Sequence, residues 1–280
     1  MSNTPFFSAG DVKPAYQAHF HFAWKAYRHG AFPDSLHPTI ESTLRSVAER
    51  QNYHLLDLEI DTSVVRALIS LRPEDAPAEV TRFLKGNIAT AVRNQHTISN
   101  LWSRGWFFRS VGHATNETVR DYVRSQYDDR NSPGGDVERS AAARYTNGAS
   151  PRELRTSNHG AFEFNAHIVL VTHRRREVLD LEMARELIAY LRRVCETKAW
   201  VAWDIQFVWN HVHLFVGLSP GDSPGGAALS LLNNAEYFLQ RRYGAMLARD
   251  VTSTIFQPGY YVGTVGSATT AQVKAYLAAR

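Results

Sequence analysis

The sequence predicts an α+β chain in which one antiparallel sheet-and-helix unit occurs twice in tandem. Three observations carry that prediction: an internal repeat, the same order of strand and helix patterns in both halves, and ordinary globular composition throughout. Gly105–Gln126, aligned without gaps on Gly259–Arg280, matches at seven of twenty-two positions. Val64–Pro73 likewise matches His211–Pro220, and Ala18-His19-Phe20 matches Ala166-His167-Ile168. Three matches in the same order, with only loop-sized differences in spacing, indicate a tandem duplication. The 280 residues, 44% hydrophobic and 21% charged, suffice for two cores at roughly 150 residues per domain.

Each half has the same pattern. In the first copy an apolar strand is expected near Ala18–Trp24, and a helix near Thr39–Gln51 with Ile40, Leu44 and Val47 at helical spacing. Strands near His54–Ile60 and Val64–Leu71 flank the turn-forming Asp61-Thr62-Ser63. A helix near Ala78–Val92, a short aromatic strand Trp106–Val111 and a helix from Asn116 to Gln126 complete it. The second copy repeats this with strand Ala166–Thr172, helix Leu181–Glu196, strands Val201–Val208 and His211–Leu218, helix Ala227–Tyr243, strand Tyr260–Val265 and helix Thr270–Ala279. This order suggests two ferredoxin-like domains, residues 14–126 and 161–280, related by a pseudo-two-fold. Tyr127–Gly160 is rich in Asp, Arg, Ser, Gly, Pro and Asn and is expected to be a flexible linker.

Several function classes are excluded at this level. No apolar run approaches the roughly 20 residues of a membrane helix, and the start lacks the charged and apolar regions of a secretion signal. One cysteine, Cys195, permits no intrachain disulfide, so a reducing cytoplasm, with nucleoid association, is the expected location. No phosphate-cradling P-loop is present, which argues against an ATP-driven machine. The net charge of +4 is compatible with a polyanionic partner without requiring one.

The residues that suggest chemistry are His211 and His213, inside the apolar strand Phe207–Val216. Alternation along a strand puts both imidazoles on one face, a partial ligand set for a divalent cation. An arbitrary H-x-H pair is more readily a pair of hydrogen-bonded sheet histidines, because two ligands close no site. Here the pair precedes G-Y-Y-V-x-T-V-G and a helix carrying Tyr276, while the strand Ala166–Thr172 runs into the basic turn His173–Arg176. In this combination, over both copies, the chain resembles the TnpA-type HUH single-tyrosine transposases, including the REP-associated tyrosine transposases.

The resemblance implies a metal-dependent enzyme that nicks and rejoins single-stranded DNA, at a hairpin-bearing site, through a 5′-phosphotyrosine. It implies Mg²⁺ or Mn²⁺ held by the histidine pair and by a glutamine four residues after the tyrosine. The two copies depart from that pattern in complementary ways. The second copy has His211, His213 and Tyr276, but Arg280 stands at the glutamine position. The first has Tyr122 and Gln126, but Val64 and Arg66 replace the histidines. In the resembling family the sites are composite, shared between two subunits of a dimer. A fused pseudo-dimer therefore implies one site per chain, built from His211, His213 and Gln126 with Tyr122 as nucleophile and Tyr276 as the alternative. Such a chain would act as a monomer, with further dimerisation open. Lys25, Arg28, Lys85, Arg174, Arg175, Arg176, Arg241 and Arg242 are candidate phosphate contacts. Two alternatives stand beside this reading: a catalytically silent hairpin or single-strand binder, and a replication-initiator or relaxase-like nickase.

Overall fold

The structure, a computed structural model, describes residues 6–125, 143–248 and 254–278. The first copy comprises β1 (Lys13–Gln17), β2 (His19–Lys25), α1 (His37–Arg50), β3 (His54–Ile60), β4 (Val64–Ser70), α2 (Pro77–Gln95), β5 (Trp106–Val111) and α3 (Asn116–Ser125). Three strands follow, β6 (Ala143–Thr146), β7 (Arg155–Ser157) and β8 (Gly160–Glu163). The second copy comprises β9 (Asn165–Thr172), α4 (Leu181–Thr197), β10 (Val201–Val208), β11 (His211–Gly217), α5 (Pro224–Leu247), β12 (Phe256–Val265) and α6 (Thr270–Ala278).

Local chemistry sets these elements. Asp180 caps α4 by accepting from the Met183 amide at 2.8 Å, and Ser223 with Pro224 opens α5. In β2 the side chains of Phe20, Phe22 and Trp24 are fully buried, while His19, His21 and Ala23 between them face the other way. The two six-stranded sheets run β3-β4-β2-β5-β8-β7 and β1-β12-β9-β11-β10-β6. Within each, the four strands of one copy have the expected ferredoxin-like antiparallel order, with two helices on one face. The helices α1, α2, α4 and α5 cover one core that runs through both copies, with Phe20 of one copy against Phe164 of the other at 5.2 Å.

The outer strands depart from the sequence-based expectation. The stretch 127–160 is not wholly a linker: β6 pairs with β10, and β7 and β8 extend the first copy's sheet. Its polar composition suits short edge strands and turns as well as a free chain; the remainder, 127–142, lies outside the described residues. Each copy also lends its leading strand to its partner. β8 runs parallel to β5, and β1 runs parallel to β12.

The copies join where β5 and β12 end. Ser110 Oγ donates to the Val265 carbonyl at 2.6 Å, and Thr264 Oγ1 donates to the Val111 carbonyl at 2.7 Å. Immediately afterwards the chains cross. The Asn116 amide donates to Gly266 O and the Thr270 amide to Gly112 O, each at 2.8 Å. Each helix start is thus tied to the other copy. At Gly112 an added Cβ would overlap the Thr264 carbonyl oxygen, and at Gly266 that of Ser110. The glycine of the repeated Val-Gly is therefore required by close backbone approach.

Strand register corrects one of the repeat matches. His21 lies opposite Leu68 and Arg109, and His167 lies opposite the repeat counterparts of those residues, Phe215 and Gly263. The structural partner of His167 is therefore His21, not His19, a shift of two residues that keeps the same face.

Two predictions follow from this packing. Gly112→Ala or Gly266→Ala should each destabilise the chain by about 1–3 kcal/mol, read as a lower urea midpoint, whereas Gly86→Ala, where no atom lies within 4 Å, should not. The second concerns pH. Burial pushes His19 and His21 down to about 4, against about 6.5 in the unfolded chain. Between those values the unfolded chain binds protons that the folded chain refuses, so stability should be complete above pH 6.5 and fall towards pH 4. His21→Gln should make the unfolding midpoint less steeply dependent on pH in that window.

Candidate active site

β11 places His211 and His213 on the face of the second sheet opposite α4 and α5. That face is covered by α3, which belongs to the first copy. Val119 and Val123 of α3 pack on Trp203, Phe215 and Val265. Arg120 fixes the helix further: its Nε donates to Asp204 Oδ2 at 2.7 Å, with Asp204 buried, and its Nη2 donates to the Asn147 carbonyl at 2.7 Å. This docking brings the Tyr122 ring edge-on to His213, with centroids 5.5 Å apart, and to His167 at 6.1 Å. Tyr122 remains 47% exposed, so its side chain is open to solvent.

The histidines form an ordered cluster. His167 and His213 are stacked at 12° with Nε2 of the first 3.0 Å from Nδ1 of the second. Asn210 Oδ1 lies 2.7 Å from His211 Nδ1. His213 Nε2 is buried and has no hydrogen-bond partner. Burial lowers His167 to about 4, His213 to about 3, and His211 in the same direction, with Arg175 adding to the effect on His211. All three are neutral at pH 7, the form in which imidazole binds a metal. The orphaned Nε2 of His213 and the anchored Nδ1 of His211 fit a divalent cation. Among the described residues no group of three His, Cys, Asp or Glu side chains forms a metal cluster.

The mirror arrangement in the first copy differs. Val273 and Leu277 of α6 pack on Leu68 and Val111, so Tyr276 lies over the first sheet, 45% exposed and away from the histidine pair. Arg66 there faces Glu59 at 3.1 Å and Asp61 at 3.6 Å.

The sequence profile of the family described as "Transposase IS200 like" matches residues 14–126 and again residues 161–280. The chain belongs to the IS200-like transposase family. One similar relative is the ISDra2 transposase TnpA of Deinococcus radiodurans, 24% identical over 121 residues, covering 40% of this chain and 86% of that protein. Another is the transposase for insertion sequence element IS200 of Salmonella typhimurium, 25% identical over 119 residues, covering 42% of this chain and 78% of that protein. Among solved structures, a Deinococcus radiodurans R1 crystal structure assigned as a transposase aligns at 23% identity and a TM-score of 0.32, covering 40% of this chain and 92% of that one. A REP-associated tyrosine transposase bound to a REP hairpin aligns at 12% identity and a TM-score of 0.30, covering 44% of this chain and 72% of that one. This chain carries the family's unit twice.

The remaining residues singled out from the sequence fall into separate places. Gln126 and Arg280 lie outside the described residues. Arg174, Arg175 and Arg176 are exposed in and just after the turn that follows β9. Lys25 ends β2 and Arg28 lies in the matching turn after it, with its guanidinium 5.2 Å from the Tyr27 ring centroid. Lys85 donates to the carbonyls of Ser103 and Gly105, both at 2.9 Å, and burial pushes it down to about 8. Arg241 is exposed on α5, and Arg242 pairs with Glu186 at 3.2 Å, both across the second sheet from Tyr122. Sequence reasoning missed Asn210, Asp204 and Arg120. Arg120 and Lys274 form a repeat pair, but no periodicity shows that Arg120 meets a carboxylate on the other copy.

No helix among the described residues is long and apolar enough to cross a membrane. Arg120→Ala should cost about 3 kcal/mol by removing the cation from a buried carboxylate. It should also speed amide hydrogen exchange in α3 more than in α6.

Proposed function

We infer that this chain nicks and rejoins single-stranded DNA at a hairpin-bearing site, using Tyr122 as nucleophile against a phosphate held at His211 and His213. The observation that carries this reading is the Tyr122 ring, from one copy, edge-on to His213 of the other at 5.5 Å. In the reaction a bond forms between Tyr122 Oη and phosphorus while the P–O3′ bond breaks. The phenolic proton ends on the 3′ oxygen, leaving a 5′-phosphotyrosine and a free 3′-OH. The ester linkage is retained, so rejoining needs no nucleotide cofactor.

His211 and His213, with Gln126 as the third donor, would hold Mg²⁺ or Mn²⁺, which supplies positive charge to the scissile phosphate and to a phenol whose ordinary pKa is near 10. His167 and Asn210 orient the two imidazoles by binding their far nitrogens, which leaves Nε2 of each directed to the ligand. Val119, Val123 and Arg120 position the nucleophile by docking α3. Arg175, beside His211, would meet the DNA backbone.

The test is a hairpin-flanked labelled strand incubated with protein and Mn²⁺. Wild type should give a covalent protein–DNA band. Tyr122→Phe should abolish that band and Tyr276→Phe should retain it. The reverse outcome would mean that the histidines are served by their own copy's helix. His213→Ala should abolish the adduct while sparing DNA binding, since phosphate contacts supply most affinity. A gel shift in wild type with no covalent band would identify a catalytically silent binder instead.

A further inference from the structure

The first copy keeps a cleft where the second keeps its histidines. It encloses about 770 Å³ and is lined by Ala23, Lys25, Ser63, Val64, Arg66 and Phe107, among others. Val64 and Arg66 occupy the positions of His211 and His213, and Glu59 lies opposite Arg66 as Gln206 lies opposite His213. A valine cannot ligate a metal, and a guanidinium carries its own fixed positive charge. The substitution therefore exchanges a cation site for a resident cation.

Of the cations on this face, Arg66 lies against Glu59 and Asp61 and Arg109 against Glu163, while Lys25 and the outer nitrogens of Arg66 remain open to an anion. Glu59 and Asp61 both approach Arg66 at Nη1, and no described residue accepts from its Nε or Nη2. Lys25 is exposed, and no described residue pairs with its ammonium. Two further nitrogens on this face are buried without a hydrogen-bond partner, His21 Nε2 and Arg109 Nε, the latter 3.9 Å from the Glu163 carboxylate. Phe107 supplies a partly exposed ring on the same face, backed by the Arg109 guanidinium 5.3 Å from its centroid. Cations beside a partly exposed ring are components of a single-strand binding surface, and the volume lies in the range of small-ligand sites.

We propose that this cleft binds a segment of single-stranded DNA without cutting it, Lys25 and Arg66 taking backbone phosphates and Phe107 stacking a base. The proposal rests on the single-stranded substrate inferred above. It assigns the divergent copy a function: it holds one part of the strand while the other copy acts elsewhere on it.

A short unstructured oligothymidylate carrying one 5-iodouracil, mixed with the full chain in EDTA and irradiated, tests this. Phe107 should appear in the crosslinked peptide. Lys25→Ala, at an exposed position, should weaken binding several-fold and lower the log–log salt slope by about one. Crosslinks confined to the Tyr122 and Tyr261 side would overturn the proposal, as would wild-type salt dependence in Lys25→Ala. The covalent band with Mn²⁺ is read separately. A band without Phe107 crosslinking overturns only the cleft assignment. Phe107 crosslinking without a band overturns the nicking reading and keeps the cleft.

Discussion

Everything in this molecule depends on the crossing of two chain segments after β5 and β12. Two hydroxyls bridge to carbonyls across the seam, and two glycines let the backbones approach more closely than any Cβ would allow. Past that point each chain is committed to the other copy's sheet, because the first amide of each helix bonds to the glycine carbonyl of its counterpart. The position of α3, and hence of Tyr122, is a consequence of that crossing.

Packing then makes the crossing hard to reverse. β1 and β8 run parallel to the far edge strands, so each copy is tied to its partner at the beginning as well as at the end. Asn116 is fully buried and donates to Glu163 at 2.8 Å, while Glu163 also accepts from the amide and hydroxyl of Ser267. A buried carboxylate satisfied by three donors stabilises one arrangement and penalises others, since separating the copies would remove the Asn116 donor from it. The shared apolar core acts in the same direction, because neither half can keep its faces covered alone.

Covalent fusion also removes the requirement that the halves be equal. In a symmetric dimer any substitution appears in both sites. Here Val64 and Arg66 alter only one, so the histidine pair can be kept in one copy while its counterpart position takes a fixed cation. His21 and His167 show the result at a single register position. One stacks on a histidine and shares a hydrogen bond with it, whereas the other is surrounded by the charges of Arg66 and Arg109, with Nε2 unpartnered.

The sequence by itself determined the duplication, the order of elements within each copy and the shared face of His211 and His213. Those features rest on repeats and on periods of two and of about 3.6 residues, which are local properties of a chain. Set against the pattern of the family it resembles, the sequence also implies, through Val64 and Arg66 in one copy and Arg280 in the other, that neither copy holds the full set of that family. It could not show that β6, β7 and β8 belong to sheets, because short polar edge strands have the composition of a linker. Nor could it show the two-residue register of His21 against His167, since alternation preserves the face and leaves the pairing open. Which tyrosine meets the histidines was decided only by tertiary structure. Tyr122 and Tyr276 occupy equivalent helices in equivalent sequence, and what separates them is the direction the backbone takes past Gly112 and Gly266, set by contacts between residues about 150 positions apart.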